Sequence, residues 1–163
     1  MGNPKQLSIA YVDYDSPDDL TQIHQDLLHK AKAMSAQAYA PYSNFPVGSA
    51  VLLDNGQEVG GNNQENRAFP AGLCAERVAL FSAAANYPQE HILAIAIYVN
   101  QQDQISPCGS CRQVLLEYEE RQKKQIEVFL MNGRGEVRYF EGISALLPFA
   151  FTFDQFQTKQ GKE

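Results

Sequence analysis

Cysteine is scarce in this sequence, long apolar runs are missing, and acidic residues outnumber basic ones. The three cysteines among 163 residues argue against a closed disulfide framework, since an odd number leaves at least one thiol unpaired. No apolar run approaches the roughly 20 residues that cross a bilayer, so membrane insertion is not expected. Thirteen basic against nineteen acidic side chains give a net charge of −6. That sign disfavours binding to the phosphate backbone of a nucleic acid polymer.

What is present fits a single domain of ordinary size. Hydrophobic residues make up 44% and charged residues 20% of the chain, as in soluble globular proteins. The segment Met1 to Gln6 has neither the basic start nor the apolar core of a secretory signal, so we expect a cytoplasmic protein with reduced thiols. We predict a partly ordered N-terminal arm at 1–17, one domain at 18–153 and a polar C-terminal tail at 154–163.

The spacing of apolar residues predicts three helices and five strands. The helices are expected at 18–39, 74–86 and 109–122, and the strands at 47–53, 57–61, 92–99, 126–131 and 137–140. The run at 92–99 is apolar throughout, which indicates a central strand buried on both faces. Strands that alternate with helices indicate right-handed βαβ crossovers. The predicted fold is α/β, a three-layer α/β/α sandwich with a mixed five-stranded sheet.

All three cysteines fall within two short segments at predicted helix starts. Cys108 and Cys111 are three residues apart, so they share one face of a helical turn, and Cys74 opens the preceding helix. The partial positive charge of a helix N-terminus favours the thiolates that a metal requires. Three protein ligands with one open coordination position are typical of a catalytic zinc site. The sequence therefore predicts one Zn²⁺ per subunit at Cys74, Cys108 and Cys111.

Glu76 lies beside the first of these cysteines and is the predicted proton carrier. A carboxylate next to an activated water can take a proton and return it. Three thiolates leave an excess of negative charge, so we expect Arg77 to donate a hydrogen bond to sulfur, with Arg112 as a second candidate. Three alternatives stay open: Glu76 as a fourth ligand, a purely structural zinc, or a redox C-x-x-C pair with Cys74 buried.

The segments C-A-E-R and S-P-C-G-S-C-R-Q resemble the signature of the cytidine deaminases, specifically the small three-cysteine zinc class of the cytidine and deoxycytidylate deaminase family. The resemblance covers roughly residues 20 to 151 and includes the segments 42–48, 63–66 and 146–148 together with Phe151. The chain departs from the family pattern at Arg67 and Ala68, where a small pair is usual, and it lacks the usual Gly-Pro after Phe151.

The resemblance implies the cytidine deaminase-like fold and an activity. The reaction would convert cytidine and deoxycytidine to uridine and deoxyuridine with release of ammonia, in pyrimidine salvage, in a homotetramer with shared active sites. Asn63 and Glu65 would hold the ribose hydroxyls, and Phe45 would pack on the nucleoside. The backbone at Ala75 would read the pyrimidine edge, and Phe151 would reach a base in a neighbouring subunit. The alternatives are a deaminase of another aminopyrimidine nucleoside such as blasticidin S, and a non-catalytic zinc-stabilised binding protein.

Overall fold

A mixed sheet of six strands with three α-helices forms residues 2–152, the part of the chain that the computed structural model describes. The strands are β1 (Val12–Tyr14), β2 (Val47–Leu53), β3 (Glu58–Asn62), β4 (Ile92–Val99), β5 (Glu127–Met131) and β6 (Val137–Phe140). The helices are α1 (Gln22–Ser35), α2 (Ala75–Asn86) and α3 (Gly109–Gln122). The strand order is β1-β6-β5-β4-β2-β3. Among residues 2–152, no helix combines the length and the apolarity needed to span a membrane.

Helices cover both faces of this sheet and so form the three predicted layers. On one face, Leu27, Leu28 and Ala31 of α1 pack against side chains of β2, β4 and β5. On the other face, α2 and α3 contribute a second cluster, which includes Ala79, Leu80, Ala83, Leu115 and Leu116. Each leucine side chain that is fully buried in this way stabilises the fold by about 2 kcal/mol. Strand β4 is apolar throughout because both of its faces lie under helices.

The connections between strands bring two helix starts to one edge of the sheet. Helix α3 joins the parallel neighbours β4 and β5. Strands β3 and β4 both pair antiparallel to β2, so they run in the same direction, and α2 connects them. Both crossover helices therefore begin at the carboxyl edge of these strands, where α/β proteins commonly bind ligands.

Helix α1 is shorter than the predicted 18–39. Residues Pro17–Asp19 form a separate 3₁₀ turn, in which the Ser16 hydroxyl accepts a hydrogen bond from the Asp18 backbone amide at 3.2 Å. At the other end, the Tyr39 backbone pairs with the loop after β3 rather than with α1: its amide donates to the Asn63 carbonyl at 3.0 Å. The backbone amide and carbonyl of Tyr39 are thus hydrogen-bonded to the loop, and they do not need the partners that a longer helix would have provided.

The sheet has six strands rather than the predicted five, because the N-terminal arm supplies an additional strand. Strand β1 pairs antiparallel with β6 and closes that edge of the sheet. The guanidinium of Arg138 binds both carboxylate oxygens of Asp13, at 2.7 and 2.8 Å. The other strands and α3 coincide with their predicted positions to within one residue at each end. The predicted tail at 154–163 lies outside the described residues.

Candidate metal centre and active site

The close approach of α2 to β3 determines where the first cysteine lies. Gly61 has no side chain between the strand and the first turn of α2, and a Cβ atom there would lie 2.8 Å from the Ala75 carbonyl oxygen and nearer still to the Ala79 amide nitrogen. Cys74 is the N-cap residue of α2, so this contact holds Cys74 and Glu76 against the sheet. A larger residue at position 61 is incompatible with this packing.

Three cysteine sulfurs meet at the starts of α2 and α3. The Sγ atoms of Cys74, Cys108 and Cys111 all lie within 4.8 Å of one another. The separation is 3.9 Å between Cys74 and Cys108 and 3.5 Å between Cys108 and Cys111. Cys111 is buried, Cys74 is half-buried and Cys108 is exposed. The structure thus brings together the three residues that the sequence nominated, with one side of the cluster open.

The protonation of these thiols fits a site for a cation. Hydrogen bonding from Cys111, together with the Arg77 guanidinium, lowers the pKa of Cys74 to about 5. The contact with Cys74, followed by burial and the nearby Glu76 carboxylate, raises the pKa of Cys111 well above its usual range. Cys74 therefore ionises easily, whereas the negative charge of Cys74 opposes the ionisation of Cys111. A divalent cation removes that opposition, and thiolate sulfur is a ligand that Zn²⁺ favours.

Glu76 is buried beside the sulfur cluster, in the first turn of α2. Its side chain is only 5% exposed, and burial is the main reason that its pKa is raised above the ordinary value, with the Cys74 charge acting in the same direction. A carboxylate in this environment holds a proton more readily than one in water. The position and the direction of the pKa shift are those of a group that accepts and returns a proton.

The two predicted charge-balancing arginines occupy different positions. Arg77 donates from Nη2 to the Cys74 sulfur at 3.6 Å, as the sequence suggested. Arg112 instead donates from Nε to the Pro107 carbonyl at 2.7 Å and from Nη1 to the Leu146 carbonyl at 2.8 Å. The guanidinium of Arg112 therefore binds backbone carbonyls near the cluster rather than a sulfur atom.

Backbone pairing holds the polar loop after β3 beside the cysteine cluster. The amide of Gln64 donates to the Leu73 carbonyl, and the Leu73 amide donates back to the Gln64 carbonyl, both at 2.9 Å. On its other side the loop pairs with Tyr39, whose carbonyl accepts from the Glu65 amide at 2.8 Å. Because Leu73 directly precedes Cys74, this small ladder connects the polar loop rigidly to the first cysteine.

The two predicted sugar-binding side chains, Asn63 and Glu65, both contact the 42–47 loop. Asn63 accepts from the Val47 amide at 2.8 Å and donates to the Phe45 carbonyl at 3.0 Å. Glu65 accepts from the backbone amides of residues 42 and 43, at 2.9 and 3.3 Å. The Ser43 hydroxyl, with these amides, keeps the pKa of Glu65 below its usual value. Glu65 is thus an ionised acceptor.

A cavity of about 540 Å³ opens next to the cysteine cluster. Its lining includes the predicted residues Asn63, Glu65, Cys74 and Arg77, and also Tyr42, Ser43, Gln64, Asn66, Phe69, Gly72 and Leu73. Phe45, Ala75 and Phe151 are not among its lining residues. Tyr42 belongs to the segment 42–48 that resembles the family, whereas the sequence reasoning gave no role to Phe69, whose ring meets that of Tyr42 edge to face at 6.2 Å. The sequence feature that could have indicated it is an aromatic residue, Phe69, in the loop between the polar segment and Cys74.

Comparison with known proteins gives a consistent result. Residues 21–126 match the model of the cytidine and deoxycytidylate deaminase zinc-binding region. A cytidine deaminase from Sporosarcina psychrophila is 37% identical over 128 residues, which cover 78% of this chain and 90% of the relative. A cytidine deaminase from Halalkalibacterium halodurans is 38% identical over 128 residues, covering 78% and 93%.

Solved structures agree with the sequence comparison. The crystal structure of cytidine deaminase from Burkholderia pseudomallei superposes with a TM-score of 0.71 at 43% identity, and covers 78% of this chain and 98% of its own. This structural match includes the α/β fold with its mixed sheet. The residues matched by the family model include all three cysteines and Glu76. On these grounds the chain belongs to the cytidine and deoxycytidylate deaminase family.

Proposed function

We propose that this protein is a zinc-dependent cytidine deaminase that hydrolyses cytidine and deoxycytidine to uridine and deoxyuridine with release of ammonia. The proposal assigns Cys74, Cys108 and Cys111 as ligands of one Zn²⁺ per subunit and Glu76 as the catalytic acid and base. The observation that carries it is the meeting of three sulfurs within 4.8 Å at two helix starts, with a buried carboxylate in the adjoining turn. The relatives are named cytidine deaminases.

The chemistry divides between the metal and the protein. A bound Zn²⁺ supplies Lewis-acid activation of a water molecule at neutral pH. Glu76 takes a proton from the attacking water and passes it to N3 of the cytosine ring while the water oxygen bonds to C4. Glu76 then takes the remaining proton from the new C4 hydroxyl and delivers it to the 4-amino group, so that the C4–N bond breaks, ammonia leaves and the C4 carbonyl of the product forms. Its raised pKa suits a group that holds protons between these transfers.

The cavity beside the cluster supplies the groups for binding a nucleoside. Glu65 is an ionised acceptor for ribose hydroxyls, and Asn63 braces the loop that carries Phe45. We assign Phe45 to pack on the nucleoside and the Ala75 backbone to the pyrimidine edge. A cavity of about 540 Å³ falls within the range of small-molecule sites.

We further infer a homotetramer with shared active sites, in which Phe151 contacts the base bound by a neighbouring subunit. Phe151 is 61% exposed and Phe149 is 98% exposed, and adjacent exposed aromatic residues commonly mark an interface. The cytoplasm, where thiols stay reduced, suits three cysteine ligands, and the reaction would there serve pyrimidine salvage. Light scattering on the purified protein tests the assembly: a monomer would contradict it.

The decisive experiment measures zinc content, ammonia release and the cytidine absorbance change on one preparation. Wild-type protein should hold one Zn²⁺ per chain and release one ammonia per uridine formed, with cytidine, deoxycytidine and blasticidin S compared in parallel. Glu76→Gln keeps the shape of the side chain but removes the proton carrier, so turnover should fall on the order of 10⁴-fold. Zinc content should stay unchanged.

A matched variant separates this effect from a general loss of charge. Glu117 lies exposed on α3, and Glu117→Gln should leave turnover at the wild-type rate. If zinc-loaded Glu76→Gln retains wild-type ammonia release, Glu76 is not the proton carrier. Zinc-loaded wild-type protein that turns over none of the three nucleosides would instead favour a non-catalytic zinc-binding protein.

A further inference from the structure

We propose that Arg112 is a positioning residue that fixes Cys108 at the metal centre and ties the C-terminal segment 146–151 to the same point. The inference rests on the proposed function only in taking Cys108 as a zinc ligand. The guanidinium of Arg112 donates to backbone carbonyls, and Arg112 is not among the residues that line the cavity beside the sulfur atoms. Its effect on the metal is therefore transmitted through backbone groups that it holds.

Cys108 needs such support because it is the exposed member of the three cysteines. Cys111 is buried within α3, whereas Cys108 is exposed and lies at the N-cap of that helix. An exposed side chain is not held in one rotamer by packing. The backbone of Cys108 fixes its Cβ atom, and from there only the choice of χ1 rotamer places the sulfur, so an accurate backbone is what packing cannot replace.

Both carbonyls that flank Cys108 accept hydrogen bonds from Arg112. The side-chain Nε donates to the Pro107 carbonyl at 2.7 Å, and the backbone amide of Arg112 donates to the Cys108 carbonyl at 3.0 Å. The first bond fixes the peptide plane before Cys108, and the second fixes the plane after it. Together they set φ and ψ of Cys108 and so fix its Cβ atom, from which the sulfur reaches within 3.5 Å of the Cys111 sulfur.

The same guanidinium group extends this support to the C-terminal segment. Nη1 of Arg112 donates to the Leu146 carbonyl at 2.8 Å, and the adjacent Gln113 donates from Nε2 to the Phe151 carbonyl at 3.0 Å. Two neighbouring side chains in the first turn of α3 therefore hold both ends of segment 146–151. A shift of Cys108 and a shift of this segment are coupled through one planar group.

The geometry of the guanidinium, rather than its charge, is what this role requires. Nε and Nη1 are separate donors in one rigid plane, so they hold the carbonyls of Pro107 and Leu146 in a defined relation. A lysine ammonium retains the charge but is a single point on a flexible chain. Arg112→Lys therefore separates geometry from charge.

The test measures zinc affinity by competition with a chromophoric chelator, in the absence of substrate, for wild type, Arg112→Lys and Arg112→Ala. Both variants should bind Zn²⁺ about 10- to 100-fold more weakly, as is usual when a group that orients a metal ligand is lost. With Co²⁺ in place of zinc, the thiolate charge-transfer band of both variants should weaken, because one thiolate is no longer held. Arg121→Lys and Arg121→Ala are the matched controls. Arg121 is on the same helix, lies over the Tyr118 ring at 5.1 Å, and should leave zinc affinity and the cobalt spectrum unchanged.

Two results would overturn the proposal. Wild-type zinc affinity and cobalt spectrum in folded Arg112→Lys, with loss only in Arg112→Ala, would show that charge suffices. A lowered melting temperature with unchanged zinc affinity in Arg112→Lys would show a purely structural role. Should Arg112→Ala fail to fold, Arg112→Lys alone decides the question. Because no substrate is present, the outcome is independent of whether the wild-type protein deaminates cytidine.

Discussion

Gly61 offers a direct test of how the fold positions the active site. In Gly61→Ala the new Cβ would lie 2.8 Å from the Ala75 carbonyl oxygen and nearer to the Ala79 amide, whereas ordinary van der Waals contact begins at 3.4 Å. Both obstructing atoms belong to the helix backbone, which cannot rotate away as a side chain can. The nearer contact, with the Ala79 amide nitrogen, sets the displacement, so helix α2 must move from the sheet by about 1 Å.

The size of the effect follows from that displacement. Forcing one methyl group into a well-packed contact costs about 1–3 kcal/mol. For a chain of this length each kcal/mol lowers the melting temperature by roughly 2–4 °C, so the whole shift is about 2–12 °C. The same shift moves Cys74 and Glu76, which open α2. A misplacement of about 1 Å costs on the order of 10²-fold in rate, so kcat/KM should fall about 10- to 100-fold.

The neighbouring Gly60 supplies the matched control. Its Cβ would point to the other face of the sheet and lie 2.7 Å from Cγ and Sδ of Met34, a flexible side chain that can rearrange. Calorimetry and cytidine turnover on zinc-loaded protein compare the two variants. Gly60→Ala should retain the wild-type rate. Equal damage from both substitutions, or none from Gly61→Ala, would refute the reasoning.

Two other predictions concern charged groups. Removal of the hydrogen bond from Arg77 to the Cys74 sulfur in Arg77→Ala should keep zinc bound but slow turnover about 10- to 100-fold; a wild-type rate in the zinc-loaded variant would contradict it. The hydrogen bond from Arg138 lowers the folded pKa of Asp13, so this pair stabilises the fold above about pH 4, the unfolded pKa, and loses its contribution as the pH falls through the lower folded value. Asp13 is half-exposed, so Asp13→Asn should cost only about 0.5 kcal/mol at pH 7. The difference in urea unfolding should vanish once the pH lies below the lowered folded pKa of Asp13.

The predictable parts of the fold are those with strong local signals. Strands β2, β4 and β6 and helix α3 coincide with the predicted bounds, because apolar runs and turn residues mark their ends within a few positions. The end of α1 was wrong because Tyr39 pairs with a loop more than twenty residues away. Strand β1 was missed for the same reason, since its register with β6 joins residues about 125 apart.

The site divides in a similar way. The sequence nominated the three cysteines, Glu76 and Arg77, because their residue types and spacing indicate a metal site at two helix starts. It could not assign Arg112, since the adjacent cysteine suggested sulfur as its partner. The guanidinium instead binds the carbonyl of Pro107 in its own segment and the carbonyl of Leu146, 34 residues further along the chain. It also missed Phe69, whose ring meets that of Tyr42 only when two loops fold together.

The amino-acid sequence by itself determined which chemical groups are available and at which helix starts they stand. The thiols, the carboxylate and the guanidinium are given by residue type, and their nearness to one another follows from short spacings along the chain. Only the tertiary structure decided how these groups are held: the approach of α2 at Gly61, the ladder of Gln64 and Leu73, and the Leu146 carbonyl bound by Arg112. These contacts join segments that are far apart in the chain. They depend on which surfaces meet when the chain folds, and the residues next to each position in the sequence do not specify that.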